Sequence, residues 1–271
     1  MQNQENIKAF FCVAKSPVLV GSGEGSGRAD CNIQRESTTR FPKIDASVIR
    51  GVAMENHRTN TKSNRGYSSR IGFSDLKILF FPVKSTCGTY TLITCPKCLK
   101  NFCKELKWTG YLCNEQVQCV EKIEPYVYGE YILKCKTDRN IHGNIEVIAT
   151  QPYRIKIISH NMLEDALHIL RIDEKAFGNI GIVTDQAFEY FVNMETEIVI
   201  RNNLNKTNLF SEEYLPERSI LYGFCFEKEE LFGDNRRMRL DEIMESMGQD
   251  RIYLGKNYTL GKGWVEIKQI D

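Results

Sequence analysis

Two periods of hydrophobic and polar positions run along this chain, and the places where one gives way to the other mark its elements. AFFCVAKSPVLV (residues 9–20) is apolar almost without interruption, which predicts a buried strand broken at Pro17, where a ladder donor is missing. It runs into the glycine-rich turn GSGEGSG. ASVIRGVAM (46–54) predicts a short helix. The next stretch, ENHRTNTKSNRGYSSR (55–70), has almost no apolar side chain and sets Arg58, Lys62, Arg65 and Arg70 against one acid, Glu55. That composition predicts a mobile basic loop.

Further along, FSDLKILFFPV (73–83) and TYTLITC (89–95) read as strands. PKCLKNFCKEL (96–106) reads as a helix with Pro96 in its first turn. GNIEVIAT (143–150) predicts another strand, and Thr184 or Asp185 can cap a helix through DQAFEYFVNM. EIVIR (197–201) and LFSEEYL (209–215) flank the polar turn NNLNKTN, the pattern of a β-hairpin. A strand at 219–226, a helix near 239–247 and RIYLGKNYTLGKGWVEIKQ complete the order. Strands outnumber helices without regular βα alternation, so the expected fold class is α+β, ferredoxin-like, in one domain spanning 1–271.

Composition narrows the possible partners. With 36 basic and 35 acidic residues the formal charge is +1, so nucleic acid could be held only by local patches. No apolar run approaches the roughly 20 residues that span a bilayer, and MQNQENIK is not a signal sequence; a cytoplasmic protein without membrane partners is expected. Ten cysteines in that compartment are expected to be reduced thiols.

Several motifs invite chemistry and most decline it. GSGEGSG follows a strand, but polar ADCNIQRES follows in place of the helix that a dinucleotide loop requires. Cys95 and Cys98 have zinc-knuckle spacing, yet Cys113 and Cys119 are too far apart for a second close pair. Cys95 and Cys98 share a helical face with Phe102, so structural zinc is not favoured. His57, His142, His160 and His168 show neither metal-ligand spacing nor a neighbouring nucleophile. GKNYTLGKGW (255–264) reads either as a tight turn or as a backbone cradle for phosphates with Lys256 and Lys262 as counter-charges. The segment 27–51 places Asp30 ahead of Arg35, Arg40, Lys43 and Arg50. On pattern alone Asp30 is a loop aspartate accepting main-chain bonds, or a carboxylate beside an anionic polymer.

Read together, VGSG…ADCNIQRESTTRFPKIDASVIRG resembles the signature of the RAMP superfamily of CRISPR proteins, and most of all the repeated backbone subunit of the type III-B (Cmr) effector complex. FSDLKILFFPVKS with TLITCP, LFSEEYLP before a strand, and LGKNYTLGKGW agree in order, so the likeness extends over about 10–266. Two positions depart from the pattern. Leu19 stands where a histidine is frequent, and DASVIRG replaces the usual Gly-Ser-Ser-Leu-Lys-Gly, making Arg50 the base.

The resemblance implies an RNA-recognition-like palm with a protruding β-hairpin thumb at about 196–215. Its expected partners are guide RNA, target RNA, further copies of itself in a filament and the other subunits of the complex. It implies cleavage of paired target RNA at regular intervals, with Asp30 as the required residue and transient ligand of a divalent Mg²⁺ or Mn²⁺. Arg35, Glu212, Glu213 and Tyr214 are candidates to assist. Gly21, Ser22, Gly23, Arg28, Gln34, Arg35, Ser47, Arg50, Arg58, Lys62, Arg65, Lys256 and Lys262 are the expected RNA contacts. The alternative is a scaffold that binds RNA and polymerises without cutting.

Overall fold

A computed structural model describes residues 7–23, 27–61, 71–85, 89–121, 131–134, 156–159, 161–172, 177–202, 209–227, 240–249 and 251–270. The chain divides into two compact units, one made of Met1–Ile78 with Thr196–Asp271 and the other of Leu79–Glu195. Helices and antiparallel strands mix within it, as an α+β fold requires.

The first unit begins with β1 (Ile7–Ala14), β2 (Lys43–Ile44), α1 (Ala46–Thr61), β3 (Ile71–Phe73) and the start of β4 (Leu76–Lys84). The second unit carries the rest of β4, then β5 (Tyr90–Thr94), α2 (Pro96–Trp108), α3 (Asn114–Glu121), β6 (Tyr131–Lys134), β7 (Lys156–Ser159), α4 (Asn161–Ile169), β8 (Ile180–Ile182) and α5 (Asp185–Met194). The chain then returns to the first unit through β9 (Glu197–Asn202), β10 (Leu209–Tyr214), β11 (Ile220–Glu227), α6 (Leu240–Gln249), β12 (Ile252–Tyr253) and β13 (Trp264–Ile270).

In the first unit β1 lies between β13 and β11, antiparallel to both, with β12 beyond β13 and β3 against β11. This position explains its sequence. Ala9 through Ala14 are all buried, so a central strand reads as a continuous apolar run rather than an alternating one. As expected, the strand stops ahead of Pro17. The helix expected over 46–54 continues to Thr61, so the first part of the supposed basic loop is helical; residues 62–70 lie outside the described residues.

In the second unit β5 pairs antiparallel with β4 and parallel with β8, which is followed by β6 and β7. Helix α2 buries Cys98, Leu99, Phe102, Cys103 and Leu106, a stripe at the helical period that accounts for the CxxC spacing by packing. Burial raises the Cys103 thiol to about 11 and Cys95 well above its ordinary value. The Thr184 hydroxyl accepts from Ala187 N at 3.2 Å, capping α5 as the sequence suggested. The expected strand at 143–150, His142 and His160 lie outside the described residues, and His168 is exposed at the end of α4.

Candidate functional site

The hairpin β9–β10 is a two-stranded antiparallel sheet in register from Glu197↔Tyr214 to Asn202↔Leu209. Period-two geometry sends Ser211 and Glu213 to one face of β10, and Glu212 and Tyr214 to the other. Each face collects a different part of the chain.

On the first face lies the segment after the glycine turn. Cys31 bridges Glu212 in parallel, with Cys31 N donating to Ser211 O at 3.0 Å and Glu213 N donating to Cys31 O at 2.8 Å. That short ladder places Asp30 beside Ser211. Oδ2 of Asp30 accepts from Ser211 N at 2.7 Å and from the Ser211 hydroxyl at 2.8 Å, while Asp30 N lies 3.0 Å from Ser211 Oγ. No other described residue donates a hydrogen bond to Oδ1, and Asp30 is exposed. The Ser211 main-chain bond, then its hydroxyl, hold the Asp30 carboxyl below the ordinary aspartate value, so it is ionised at neutral pH.

Glu213 on the same face is buried and does structural work. Its Oε1 accepts from Arg35 Nη2 at 2.7 Å and from the Thr196 hydroxyl at 2.8 Å, and its Oε2 accepts from Ile33 N at 3.1 Å. Arg35 Nη1 also donates to Arg40 O at 3.0 Å, with only 9% of the side chain exposed. The Arg35 guanidinium, expected to contact phosphate, is enclosed and paired with Glu213. Gln34 is likewise committed, since its amide donates to Asp45 Oδ2 and accepts from Asp45 N, each at 2.8 Å.

The second face of β10 meets the closing loop. Glu212 Oε2 accepts from the Tyr214 hydroxyl at 2.7 Å and from Arg201 Nε. The Tyr214 oxygen in turn accepts from Arg201 Nη2 at 2.9 Å and from Asn257 Nδ2 at 2.7 Å. Asn257 Nδ2 is also 3.1 Å from both Glu212 oxygens, and the Lys262 ammonium sits 5.1 Å from the Tyr214 ring centroid. Burial works to raise the Glu212 pKa, but the bonds from Tyr214, Asn257 and Arg201 outweigh it and leave it below the ordinary glutamate value. Burial and the bond to Glu212 push Tyr214 up. Tyr214 is fully buried, so this cluster braces the hairpin base.

The loop itself is seated by glycine. Gly255 has φ +83°, and a Cβ there would lie 2.1 Å from Leu19 O, beside which Lys256 N donates to that same carbonyl at 2.9 Å. The Lys256 ammonium then reaches 3.7 Å from Cys31 Sγ, next to Asp30. Gly21 bridges Ile33, Ser22 N donates to Asn32 O at 2.9 Å, and Gly23 takes φ +101°. The glycine turn, the Asp30 segment, the hairpin base and the closing loop are thus one neighbourhood within the first unit.

The other expected contacts are scattered or undescribed. Arg28 is exposed three residues from Cys31, Ser47 is exposed in the first turn of α1, and Arg50 Nε is 3.4 Å from Ile71 O. The side chain of Arg58, and all of Lys62 and Arg65, lie outside the described residues. Sequence reasoning missed Ser211, Arg201 and Asn257. Ser211 could have been found from strand alternation within LFSEEYL, whereas Arg201 and Asn257 meet Tyr214 only through tertiary structure.

A helix-and-sheet chain with a glycine-turn segment pinned to a hairpin base defines a class, and the comparison with known families gives it a name. The RAMP superfamily profile matches residues 11–266, and the chain belongs to that superfamily. It is similar to the CRISPR system Cmr endoribonuclease Cmr4 of Pyrococcus furiosus, with 27% identity over 93% of this chain and 92% of that protein. Its fold matches the crystal structure of oligomeric Cmr4 from Pyrococcus furiosus with a TM-score of 0.75 at 24% identity, covering 98% of this chain and 100% of the other. It also matches a chain of the type III-B Cmr-beta complex bound to cognate target RNA, with a TM-score of 0.72 at 18% identity over 99% and 98% of the two chains.

Proposed function

We propose that this chain is a repeated backbone subunit of a type III-B CRISPR ribonucleoprotein, holding guide RNA and cutting complementary target RNA at regular intervals. The observation that carries the cutting role is the Asp30 carboxylate, exposed and ionised, with Oδ2 fixed by Ser211 and Oδ1 open. The similarity to a protein named an endoribonuclease supports the same reading. No helix among the described residues is long and apolar enough to cross a membrane, which is compatible with a cytoplasmic complex.

RNA brings its own nucleophile. When a nucleotide is turned so that its 2′-oxygen lies in line with the adjacent phosphorus, positioning alone lowers the barrier by several kcal/mol. Asp30 Oδ1 receives the 2′-hydroxyl proton as the 2′-oxygen bonds to phosphorus, and the 5′-oxygen departs with a proton from solvent. The products are a 2′,3′-cyclic phosphate and a 5′-hydroxyl. An aspartate with a lowered pKa is a weak base, so orientation of the sugar carries more of the rate than basicity does. Lys256, close to Asp30 through Cys31, is a cation able to offset phosphate charge there.

Among the described residues no group of three or more His, Cys, Asp or Glu could hold an ion, and one Asp30 oxygen already serves Ser211. A hydrated Mg²⁺ or Mn²⁺ needs further oxygen ligands, which target phosphates can supply, so the proposed ion binds together with target RNA. The scaffold alternative draws on the same contacts, since a carboxylate bonded to Ser211 also ties the 27–35 segment to the hairpin.

Assembly of the chain with guide RNA and its sister subunits, followed by analysis of cleaved target ends, tests the proposal. Regularly spaced fragments ending in 2′,3′-cyclic phosphate are expected. Fragments ending in 3′-hydroxyl would overturn this chemistry, and intact target would leave the scaffold.

A further inference from the structure

The closing loop carries a feature that the cutting site does not use. Tyr258 is 63% exposed, at the start of a 3₁₀ turn (Tyr258–Leu260). Its two flanks are fixed in left-handed backbone, Asn257 at φ 65° and Gly261 at φ 74°. Its ring meets Tyr253 edge-on at 6.3 Å; Tyr253 meets Trp264 edge-on at 5.4 Å; and the Arg251 guanidinium lies 5.7 Å from the Trp264 ring centroid. A row of aromatic rings therefore extends from β12 and β13 into the loop, and in sequence Lys256 and Lys262 stand two before and four after Tyr258.

We infer that Tyr258 is a stacking platform for an unpaired base of RNA, an inference that rests on the RNA-binding reading of the same loop. Exposed aromatic rings between cations bind single strands without sequence preference, because every base offers a π-face and every linkage a phosphate. The loop is joined to the cutting site by the Asn257 bonds to Glu212 and by Lys256 beside Cys31, so Tyr258 belongs to a loop that packs against the Asp30 neighbourhood. The 3₁₀ turn is set by its own backbone bonds, and the ring's edge-on contact with Tyr253 limits the conformations a base would have to select. Exposed Leu260 in the same turn adds apolar area, which favours a base's flat face over a fully hydrated phosphate.

The test compares wild type, Tyr258→Phe, Tyr258→Leu and Tyr258→Ala in the full chain, with circular dichroism confirming the fold. Affinity is read by fluorescence anisotropy on labelled oligouridine and on an abasic oligoribose phosphate of equal length, each at two salt concentrations. Stacking predicts that Phe binds oligouridine within about twofold of wild type, while Leu and Ala weaken it by about 5- to 150-fold. It further predicts an unchanged salt dependence and no difference among the four proteins on the abasic strand. Equal oligouridine affinity for wild type and Tyr258→Ala overturns the inference alone, as does a loss of the same size on the abasic strand. Equal affinity together with lost RNA-free self-association in the Ala variant overturns it too, and makes the ring a protein contact. Wild type that binds neither strand at low salt overturns the RNA-binding reading and this inference with it.

Discussion

Ser211 decides what Asp30 can do. A loop aspartate in open solvent would sample many rotamers and titrate near its ordinary value; here two bonds from one serine fix Oδ2 of an exposed carboxylate. Ser211→Ala removes the hydroxyl bond but keeps the main-chain bond. The Asp30 pKa is therefore expected to rise part of the way toward about 3.9, and the target-cutting rate to fall without complete loss. A carboxyl-carbon NMR titration measures the first and single-turnover cleavage the second. A folded pKa below the unfolded one stabilises the ionised form. Asp30 therefore contributes to stability above the ordinary aspartate range and loses that contribution as pH falls through its lowered folded value. In the same way its ionisation should not limit cleavage anywhere between about pH 5 and 8, and the acid limb of a rate profile should lie below the ordinary carboxylate range.

Strand β10 works as the spine of the site because alternation lets one strand serve two neighbours. Its Ser211–Glu213 face registers the Asp30 segment and its Glu212–Tyr214 face registers the closing loop. Removing one partner of the enclosed Arg35–Glu213 pair leaves an uncompensated charge. Arg35→Met is therefore expected to lower stability by about 3–5 kcal/mol, measured by urea unfolding. A variant that stayed as stable as wild type and lost only RNA affinity would make Arg35 a phosphate contact and not a structural partner of Glu213. Gly255→Ala is expected to dislodge the closing loop. Left-handed backbone alone costs about 1–2 kcal/mol, and the added carbon would collide with Leu19 O. Thermal unfolding checks the loss. The strands and helices of this unit were legible because their burial follows simple periods, and the end of β1 ahead of Pro17 shows the signal at its clearest. The bonding partners of Arg35 and Gln34 were not legible. An arginine in a polar stretch looks alike whether it awaits phosphate or an acid 178 residues away, and only the fold brings Glu213 to it.

On the scale of the whole molecule, the site draws on residues near 20, 30, 211 and 257, all within the unit formed by the two ends of the chain. That return is not visible in local pattern, and neither is the division of the chain into two compact units. What sequence did carry across that distance was the set of ordered blocks: Asp30–Arg35 of the first, LFSEEYLP itself and Asn257 of LGKNYTLGKGW meet at β10. The match to the RAMP superfamily over residues 11–266 spans both units. If the proposed complex forms, its binding of target is a property of many dispersed contacts, while its cutting depends on one carboxylate. Complexes assembled with wild type and with Asp30→Asn separate the two, when target affinity and single-turnover cleavage are recorded side by side. Affinity is expected to stay within about twofold while cleavage falls at least 100-fold, the size of effect that follows when a group acting on the reacting atoms is removed. Cleavage by the Asp30→Asn complex at the wild-type rate would contradict a cutting role for this carboxylate.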